Sequence, residues 1–196
     1  KEHSDFVLLY FKPGSPEENY YYHHKQKTRF ENFKYIFPEL PFYGEWCVSQ
    51  GINGKLTHKS EWQYALDFII KDDESDHTNK GEAAGDYFCY SLPVIATMDG
   101  TVVKTISNVK DNTPGEVNIN KNWGNTVVMS HGYDVFSSVS HLKCDSVKVK
   151  EGDKVKKGDL LGHCGNSGRS PSPHLHFQFQ YSDRIGDKTL KFPIAN

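Results

Sequence analysis

Short apolar stretches rich in β-branched and aromatic residues recur along this chain, separated by clusters of glycine, proline, asparagine and aspartate. Such stretches favour strands, and the residues between them favour turns. The pattern therefore predicts an all-β fold. The predicted strands run from Phe6 to Phe11, Tyr64 to Ile70, Thr101 to Ile106, Thr126 to Ser130, and His174 to Gln180.

The opening of the chain differs from the rest. A weak helix is predicted from Gln26 to Ile36, in a segment rich in aromatic and polar residues. Two prolines and a glycine between residues 38 and 44 then interrupt the chain, and the sequence becomes more strand-like. We expect residues 1–40 to be an irregular N-terminal extension or the end of a preceding domain. Residues 41–196 are expected to form one domain, an antiparallel β-sandwich with loop insertions.

An acidic, glycine-bearing stretch from Lys71 to Asp86 predicts a surface loop. Its run of carboxylates resembles a calcium loop only superficially. An EF-hand needs glycine at its sixth position and glutamate at its twelfth, and neither is present.

Composition narrows the class of protein. The chain has 196 residues, a mass of 22.4 kDa and 36% hydrophobic residues, which suits one globular domain with an extension. Its net charge is -2 and it has no basic block, which argues against nucleic acid or an anionic membrane surface as a partner. No apolar run approaches the roughly 20 residues that span a bilayer, and no secretory signal is visible.

Four cysteines are spread along the chain and never form a C-x-x-C pair, which argues against a zinc ribbon or a thioredoxin-type redox motif. An even number fits disulfides in an oxidising compartment, and buried free thiols fit equally well. They are Cys47, Cys89, Cys144 and Cys164.

The sharpest local feature is an H-x-H at the start of the last predicted strand. A period of two places His174 and His176 on one face, opposite Leu175, Phe177 and Phe179. Two imidazoles about 7 Å apart on a strand suit zinc, because neutral imidazole is a good zinc ligand. Two surface histidines on a half-exposed strand would give the same pattern.

A catalytic zinc typically takes three protein ligands, so the remaining ones must come from elsewhere in the chain. Asp67 lies within an apolar predicted strand, where an ionised carboxylate is costly unless a cation neutralises it. An ion pair with a lysine or arginine, or a strand end in water, would also explain it. His58 ends a glycine-rich turn upstream and could reach the same place, although alone it indicates little.

Together these residues stand in a sequence that resembles the lysostaphin and LytM type of zinc metalloendopeptidases, whose signature is H-(x)n-D followed much later by H-x-H. The resemblance runs from about residue 40 to residue 180. The further matching segments are Leu92–Ala96, Asp99–Val103, Trp123–Asn125, His141–Leu142, Val147–Asp159 and Gly165–Ser170.

The resemblance implies a metallopeptidase domain over residues 41–196, related to duplicated-hybrid and barrel-sandwich folds. It implies one Zn²⁺ held by His58, Asp67 and His176. It places His141 and His174 beside the metal, one as base or acid and the other as stabiliser of the oxyanion, with the order open. The implied reaction is hydrolysis of peptide bonds in peptidoglycan stem peptides or cross-bridges. The implied location is extracytoplasmic, in the periplasm, in the cell envelope or secreted.

Two positions depart from the family pattern. Many relatives place the first ligand four residues before the aspartate, where this chain has Gln63, so His58 would reach the metal from a longer loop. An aromatic residue often precedes the H-L element by two positions, and here that residue is Val139. Near the motifs, His131 and His163 could support the ligands. The other histidines are expected at the surface or in the core; they are His3, His23, His24 and His77.

Three other functions match parts of this sequence: a carrier domain, a serine hydrolase and a metal-free relative of the same family. A biotinyl or lipoyl carrier would need a lysine beside methionine, and neither Met98 nor Met129 adjoins one. A serine hydrolase elbow would need glycine two residues after Ser167, where Arg169 stands. A metal-free relative that binds cell wall or activates another hydrolase remains the main alternative. The presence of all five candidate site residues favours an active enzyme.

Overall fold

The computed structural model describes residues 38–132 and 134–191. Across these residues, strands alternate with turns and short 3₁₀ helices, and no helix is long or apolar enough to cross a bilayer. The strands are β1 (Cys47–Gln50), β2 (Leu66–Ile69), β3 (Pro93–Ile95), β4 (Gly100–Ile106), β5 (Asn125–Ser130), β6 (Phe136–Leu142), β7 (Lys154–Val155), β8 (Leu160–His163), β9 (Leu175–Gln180) and β10 (Thr189–Leu190). The 3₁₀ helices are Ser60–Trp62, Ala84–Asp86 and Ile119–Lys121. The strand predicted from Phe6 to Phe11 and the helix predicted from Gln26 to Ile36 lie outside the described residues.

Eight strands form one antiparallel sheet in the order β1-β2-β9-β6-β5-β4-β7, with β10 beside β9. Strands β3 and β8 form a second, two-stranded sheet. The large sheet is open, with β1 and β7 at the two ends of its order. The prediction of an all-β, antiparallel fold is therefore confirmed.

The core lies between the two sheets. Val94 and Leu161 of the small sheet and Val102, Val127 and Phe177 of the large sheet are all buried and belong to one cluster. Burying a side chain of this kind contributes about 1.5–3 kcal/mol relative to leaving it exposed. The cluster therefore fixes the strands that carry the candidate site.

Strand β9 is buried on both faces. Leu175, Phe177 and Phe179 join the core as the alternation predicts, but His176 on the opposite face is also buried. All six residues of the strand are buried, and β9 lies between β2 and β6 in the large sheet. The interpretation of the H-x-H as surface histidines on a half-exposed strand is therefore wrong for this chain.

The acidic stretch from 71 to 86 is a series of turns at the surface, as predicted. Isolated bridges join Asp72 to Ser75 and His77 to Tyr87, and a 3₁₀ helix ends the stretch. Its side chains are mostly exposed.

The four cysteines are free thiols in the structure. Cys89 and Cys164 are buried, whereas Cys47 is exposed on β1. Of the two alternatives that the sequence left open, the structure has the free thiols.

Candidate metal centre

The sheet register brings Asp67 and His176 together. Asp67 on β2 is the direct antiparallel partner of His176 on β9. Residues directly opposite each other project to the same face with Cβ atoms about 5 Å apart. His176 Nδ1 accordingly lies 2.8 Å from Asp67 Oδ1. Two buried polar side chains, 109 positions apart in sequence, are thus fixed by strand pairing alone.

His58 arrives at the same place from the loop between β1 and β2. Its side chain is buried, and its Nε2 lies 3.2 Å from Asp67 Oδ2. The other ring nitrogen, Nδ1, lies 3.3 Å from the carbonyl oxygen of Gly51. The possible ligand atoms of His58, Asp67 and His176 all lie within 4.8 Å of one another.

Gln50 holds this longer loop against the aspartate. Its Oε1 accepts hydrogen bonds from the backbone N–H groups of Leu56 (3.0 Å) and Thr57 (2.9 Å). Its Nε2 donates to Asp67 Oδ2 at 2.8 Å. One amide at the end of β1 therefore orients the carboxylate and fixes the two residues that lead into His58. The spacing of nine positions between His58 and Asp67 is accommodated in this way.

In the neutral form of His58 and His176, the surrounding hydrogen bonds decide which ring nitrogen carries the proton. A carbonyl oxygen only accepts, so His58 Nδ1 donates to Gly51 and its Nε2 keeps a lone pair. His176 Nε2 lies 3.0 Å from Gln178 Oε1 and donates to it, so the lone pair of His176 is on Nδ1. Both lone pairs face carboxylate oxygens of Asp67.

Neutral imidazoles in this arrangement turn lone pairs towards a carboxylate, so either added protons or a metal ion must lie between them. His58 Nε2 is buried and, despite its 3.2 Å approach to Asp67, has no hydrogen-bond partner of acceptable geometry. Burial raises the pKa of Asp67, but the close contacts with the His176 and His58 rings outweigh burial and hold that pKa below its ordinary range, so the carboxylate is ionised. Two imidazole nitrogens and one carboxylate form the donor set of a zinc site with open positions. The three side chains therefore fit a divalent metal.

The amide of Gln178 is itself oriented by a buried chain of hydrogen bonds. Gln178 Nε2 donates to Gln180 Oε1 (2.8 Å) and to the carbonyl of Asp187 (3.0 Å). Gln180 Nε2 in turn donates to the carbonyls of Ser182 and Arg184, each at 2.8 Å. Since Nε2 of Gln178 is occupied in this way, its Oε1 must face His176. The loop after β9 thereby sets the tautomer of a candidate ligand.

His141 lies beside the three candidate ligands at the end of β6. Its neighbour Ser140 pairs with His176 across the sheet. The backbone of His141 has a φ of 62°, in the left-handed region that non-glycine residues rarely adopt, and its N–H donates to Trp123 O at 3.1 Å. Nδ1 donates to the carbonyl of Ser167 at 2.8 Å, which leaves Nε2 free. Burial, with His174 and His176 nearby, lowers the pKa of His141 well below its ordinary value.

His174 is the second auxiliary histidine, and its ring centroid lies 4.8 Å from that of His141. Its Nδ1 donates to the carbonyl of Ser172 at 2.9 Å, and its Nε2 lies 3.8 Å from Asp67 Oδ1. Burial lowers the pKa of His174, although Asp67 acts in the opposite direction. Both auxiliary histidines are therefore neutral near pH 7 and present Nε2 as a proton acceptor.

These groups open onto a groove of about 520 Å³. Trp62 and Trp123 line it, and their rings pack edge to face at 5.6 Å. Trp123 also contacts the ring of His176, with centroids 5.2 Å apart. Asp67, His141, His174 and His176 line the groove, whereas His58 lies behind them.

Gln50 and Gln178 were not singled out from the sequence. The period of two along β9 contained a signal for Gln178, because it places that residue on the face of His176. His131 and His163, in contrast, do not support the ligands. Both ring nitrogens of His131 are used by Asp99 O and Ser137 Oγ, and His163 belongs to β8 in the small sheet.

Comparison with known proteins identifies relatives of this arrangement. The model of peptidase family M23 matches residues 86–188. An uncharacterized metalloprotease of Buchnera aphidicola is 25% identical over 161 residues, which cover 80% of this chain and 34% of that protein. Peptidoglycan DD-endopeptidase ShyA of Vibrio cholerae is 37% identical over 105 residues, 53% of this chain and 21% of ShyA. The chain thus spans about a third or less of these relatives.

A solved structure shows the same fold. Pseudoalterin, an M23 metalloprotease from the deep sea, superposes with a TM-score of 0.50 at 20% identity, over 79% of this chain and 74% of pseudoalterin. The segment matched by the family model contains His141, His174 and His176, whereas His58 and Asp67 precede it. The placement of those two residues in the site therefore depends on the geometry.

Proposed function

Because the chain belongs to peptidase family M23, whose model matches just over half of it, we propose that it is a zinc-dependent endopeptidase acting on peptidoglycan stem peptides or cross-bridges. The observation that carries this proposal is the convergence of two buried imidazole nitrogens on one buried carboxylate. The peptidase domain comprises residues 41–196, and its site of action is extracytoplasmic. The peptidoglycan activity in the name of ShyA supports the substrate class.

In this proposal His58 Nε2, the carboxylate of Asp67 and His176 Nδ1 hold one zinc ion. Zinc, when bound, lowers the pKa of a water from 15.7 to about 7 and polarises the scissile carbonyl. The protein holds the three ligands in place, two through strand pairing and His58 through the bonds of Gln50 to the loop that precedes it. Their remaining hydrogen-bonding atoms are satisfied by Gly51, Gln50 and Gln178.

The two auxiliary histidines handle protons. Each donates Nδ1–H to a backbone carbonyl, which holds the ring in place and directs Nε2 at the groove. As a neutral base, one accepts a proton from the attacking water and can contribute about 100- to 10,000-fold. The other takes up a proton from solvent on Nε2 and can then donate a hydrogen bond to the oxyanion of the tetrahedral intermediate. His141 and His174 are each equipped for either role.

Metal analysis and digestion test this proposal together. We expect about one zinc per chain, and we expect purified peptidoglycan to release new peptide ends that mass spectrometry assigns to a single kind of bond. Asp67→Ala should lose both zinc and cleavage. Asp76→Ala is the matched control, since Asp76 also lines the groove but does not face the two ligand histidines. Zinc-loaded protein that binds peptidoglycan without cutting it would refute the enzyme in favour of a binding module.

A further inference from the structure

Arg169 is the positively charged residue of the groove wall. Among the residues lining the groove, the charged side chains are Asp67, Asp76 and Arg169. Arg169 also lines an adjoining depression of about 320 Å³, together with Lys59, Glu61 and Trp62. Its side chain therefore borders both the groove that contains the candidate metal centre and this depression.

The backbone on both sides of Arg169 is held rigidly. Asn112 Nδ2 donates to the carbonyl of Gly168 at 2.7 Å and to that of Ser170 at 3.0 Å. The N–H of Arg169 donates to Asn122 O at 2.8 Å. Gly168 and Ser170 are buried, whereas Arg169 is exposed. A fixed turn thus presents one free side chain, which lowers the cost of ordering it around a ligand.

The guanidinium of Arg169 has no ion-pair partner within the described part of the chain. Glu61 lines the same depression but does not form an ion pair with it. Asp76 faces His77 Nδ1 at 2.7 Å, and Asp67 is enclosed by His58, His176 and Gln50. The groove therefore offers a planar cation with all its side-chain donors available.

Resting on the peptidase function proposed above, we propose that Arg169 binds a free carboxylate of the substrate peptide, on a residue next to the bond that is cut. A guanidinium presents two parallel N–H donors that match the two oxygens of a carboxylate. A peptide carries such a group at a chain end or on an acidic branch. Arg169 then selects peptides with a free carboxylate over amidated ones.

Two synthetic cross-linked stem peptides test this assignment. They are identical, except that the residue on the amine side of the scissile bond carries a free carboxylate in one and a primary amide in the other. Binding is measured by fluorescence of the groove tryptophans in zinc-loaded protein with the His141→Ala change, which prevents turnover. The same background receives Arg169→Gln, Arg169→Lys or, as the matched control, Lys150→Gln, which removes one positive charge from an exposed residue that does not line the groove.

We expect the carboxylate peptide to bind about 10-fold more tightly than the amide, the effect of a charge-assisted hydrogen bond that is open to solvent. Arg169→Gln should abolish this preference by weakening the carboxylate peptide alone, Arg169→Lys should retain part of it, and Lys150→Gln should leave it unchanged. Equal affinities in the parent, a preference that survives Arg169→Gln, or an equal loss in Lys150→Gln would each overturn the assignment.

Cleavage by the protein with His141 intact separates the two proposals. Cleavage of both peptides at equal kcat/KM, with equal affinities, would refute the role of Arg169 and leave the peptidase standing. Preferential binding without any cleavage would refute the peptidase and support the carboxylate site.

Discussion

Replacement of Gln178 by leucine tests how the protein controls its candidate metal ligand. Gln178 is 1% exposed and accepts the Nε2–H of His176 at 3.0 Å, which keeps the lone pair of that ring on Nδ1. Leucine has a similar size but cannot accept a hydrogen bond. In Gln178→Leu, nothing holds the proton on Nε2, whereas Asp67 Oδ1 at 2.8 Å favours a proton on Nδ1, so the Nδ1 lone pair is largely lost in the metal-free protein.

The expected losses of folding stability and zinc affinity in Gln178→Leu follow from the hydrogen bonds that the change removes. The change removes the bonds of Gln178 to His176, Gln180 and Asp187. It leaves His176 Nε2 and Gln180 Oε1 buried without partners, whereas the carbonyl of half-buried Asp187 can reach water. At about 1–3 kcal/mol for each stranded group, the loss in free energy of unfolding is about 2–6 kcal/mol. Loss of a group that orients a metal ligand weakens zinc binding about 10- to 100-fold.

The assay is zinc affinity by competition with a chromophoric chelator, paired with urea unfolding of the metal-free protein. Gln178→Glu keeps an acceptor for His176, so its zinc affinity should equal or exceed that of the parent even if its stability falls. Val127→Ala, in the core on β5, is the matched destabilised control; it should cost about 2 kcal/mol of folding free energy and leave zinc affinity unchanged. If Gln178→Leu destabilised the protein but bound zinc as tightly as Val127→Ala, control of the tautomer by Gln178 would be refuted.

Three further changes have defined outcomes. His141→Ala should retain about one zinc, measured by elemental analysis, while peptide cleavage falls about 100- to 10,000-fold; release of the metal would show that His141 is a ligand. Phe177→Ala should lower the free energy of unfolding by about 3–5 kcal/mol in urea titrations, and a loss under 1 kcal/mol would show that the core relaxes around it. Burial lowers the pKa of His131 below 6.5, against the opposing effect of Asp99. Below about pH 6.5 the unfolded chain therefore takes up a proton at this histidine that the folded protein does not. The free energy of unfolding falls as the pH drops from about 6.5 towards the lowered pKa. His131→Gln should flatten that decline in unfolding experiments from pH 7.5 to 5, and an unchanged slope would contradict the assignment.

The strands that the sequence predicted correctly are those with apolar alternation. β9 is the clearest case, because its leucine and two phenylalanines repeat with a period of two. β6 was missed because its sequence, Phe136 to Leu142, contains three serines and few apolar residues. It is nevertheless a central strand, paired with β5 on one side and β9 on the other. Sheet hydrogen bonds and burial between neighbours specify it, and neither is visible in a local window.

Part of the candidate site, like part of the fold, was predictable from local sequence. Strand periodicity and the cost of an ionised carboxylate pointed to His176 and Asp67, and the structure pairs them across the sheet. His58 depended on family resemblance, since nothing local indicates where a loop residue will lie. Its position follows from Gln50, a contact between side chain and backbone that only the folded chain creates. From the sequence, Arg169 served only to exclude a serine-hydrolase elbow. Its position in the groove depends on the folded structure.

The fold holds Asp67 and His176 more firmly than His58, and this difference affects how fast a bound metal can leave. Asp67 and His176 lie on paired strands, whose opening requires disruption of the sheet. His58, in contrast, follows a largely exposed loop held by Gln50 and by a backbone hydrogen bond from Asn53 to Gln63. Local opening free energies are lowest where backbone is exposed and contacts are few. Departure of the metal should therefore begin with detachment of the His58 loop, and the lifetime of the loaded state would be set by Gln50 more than by the intrinsic strength of the donor set.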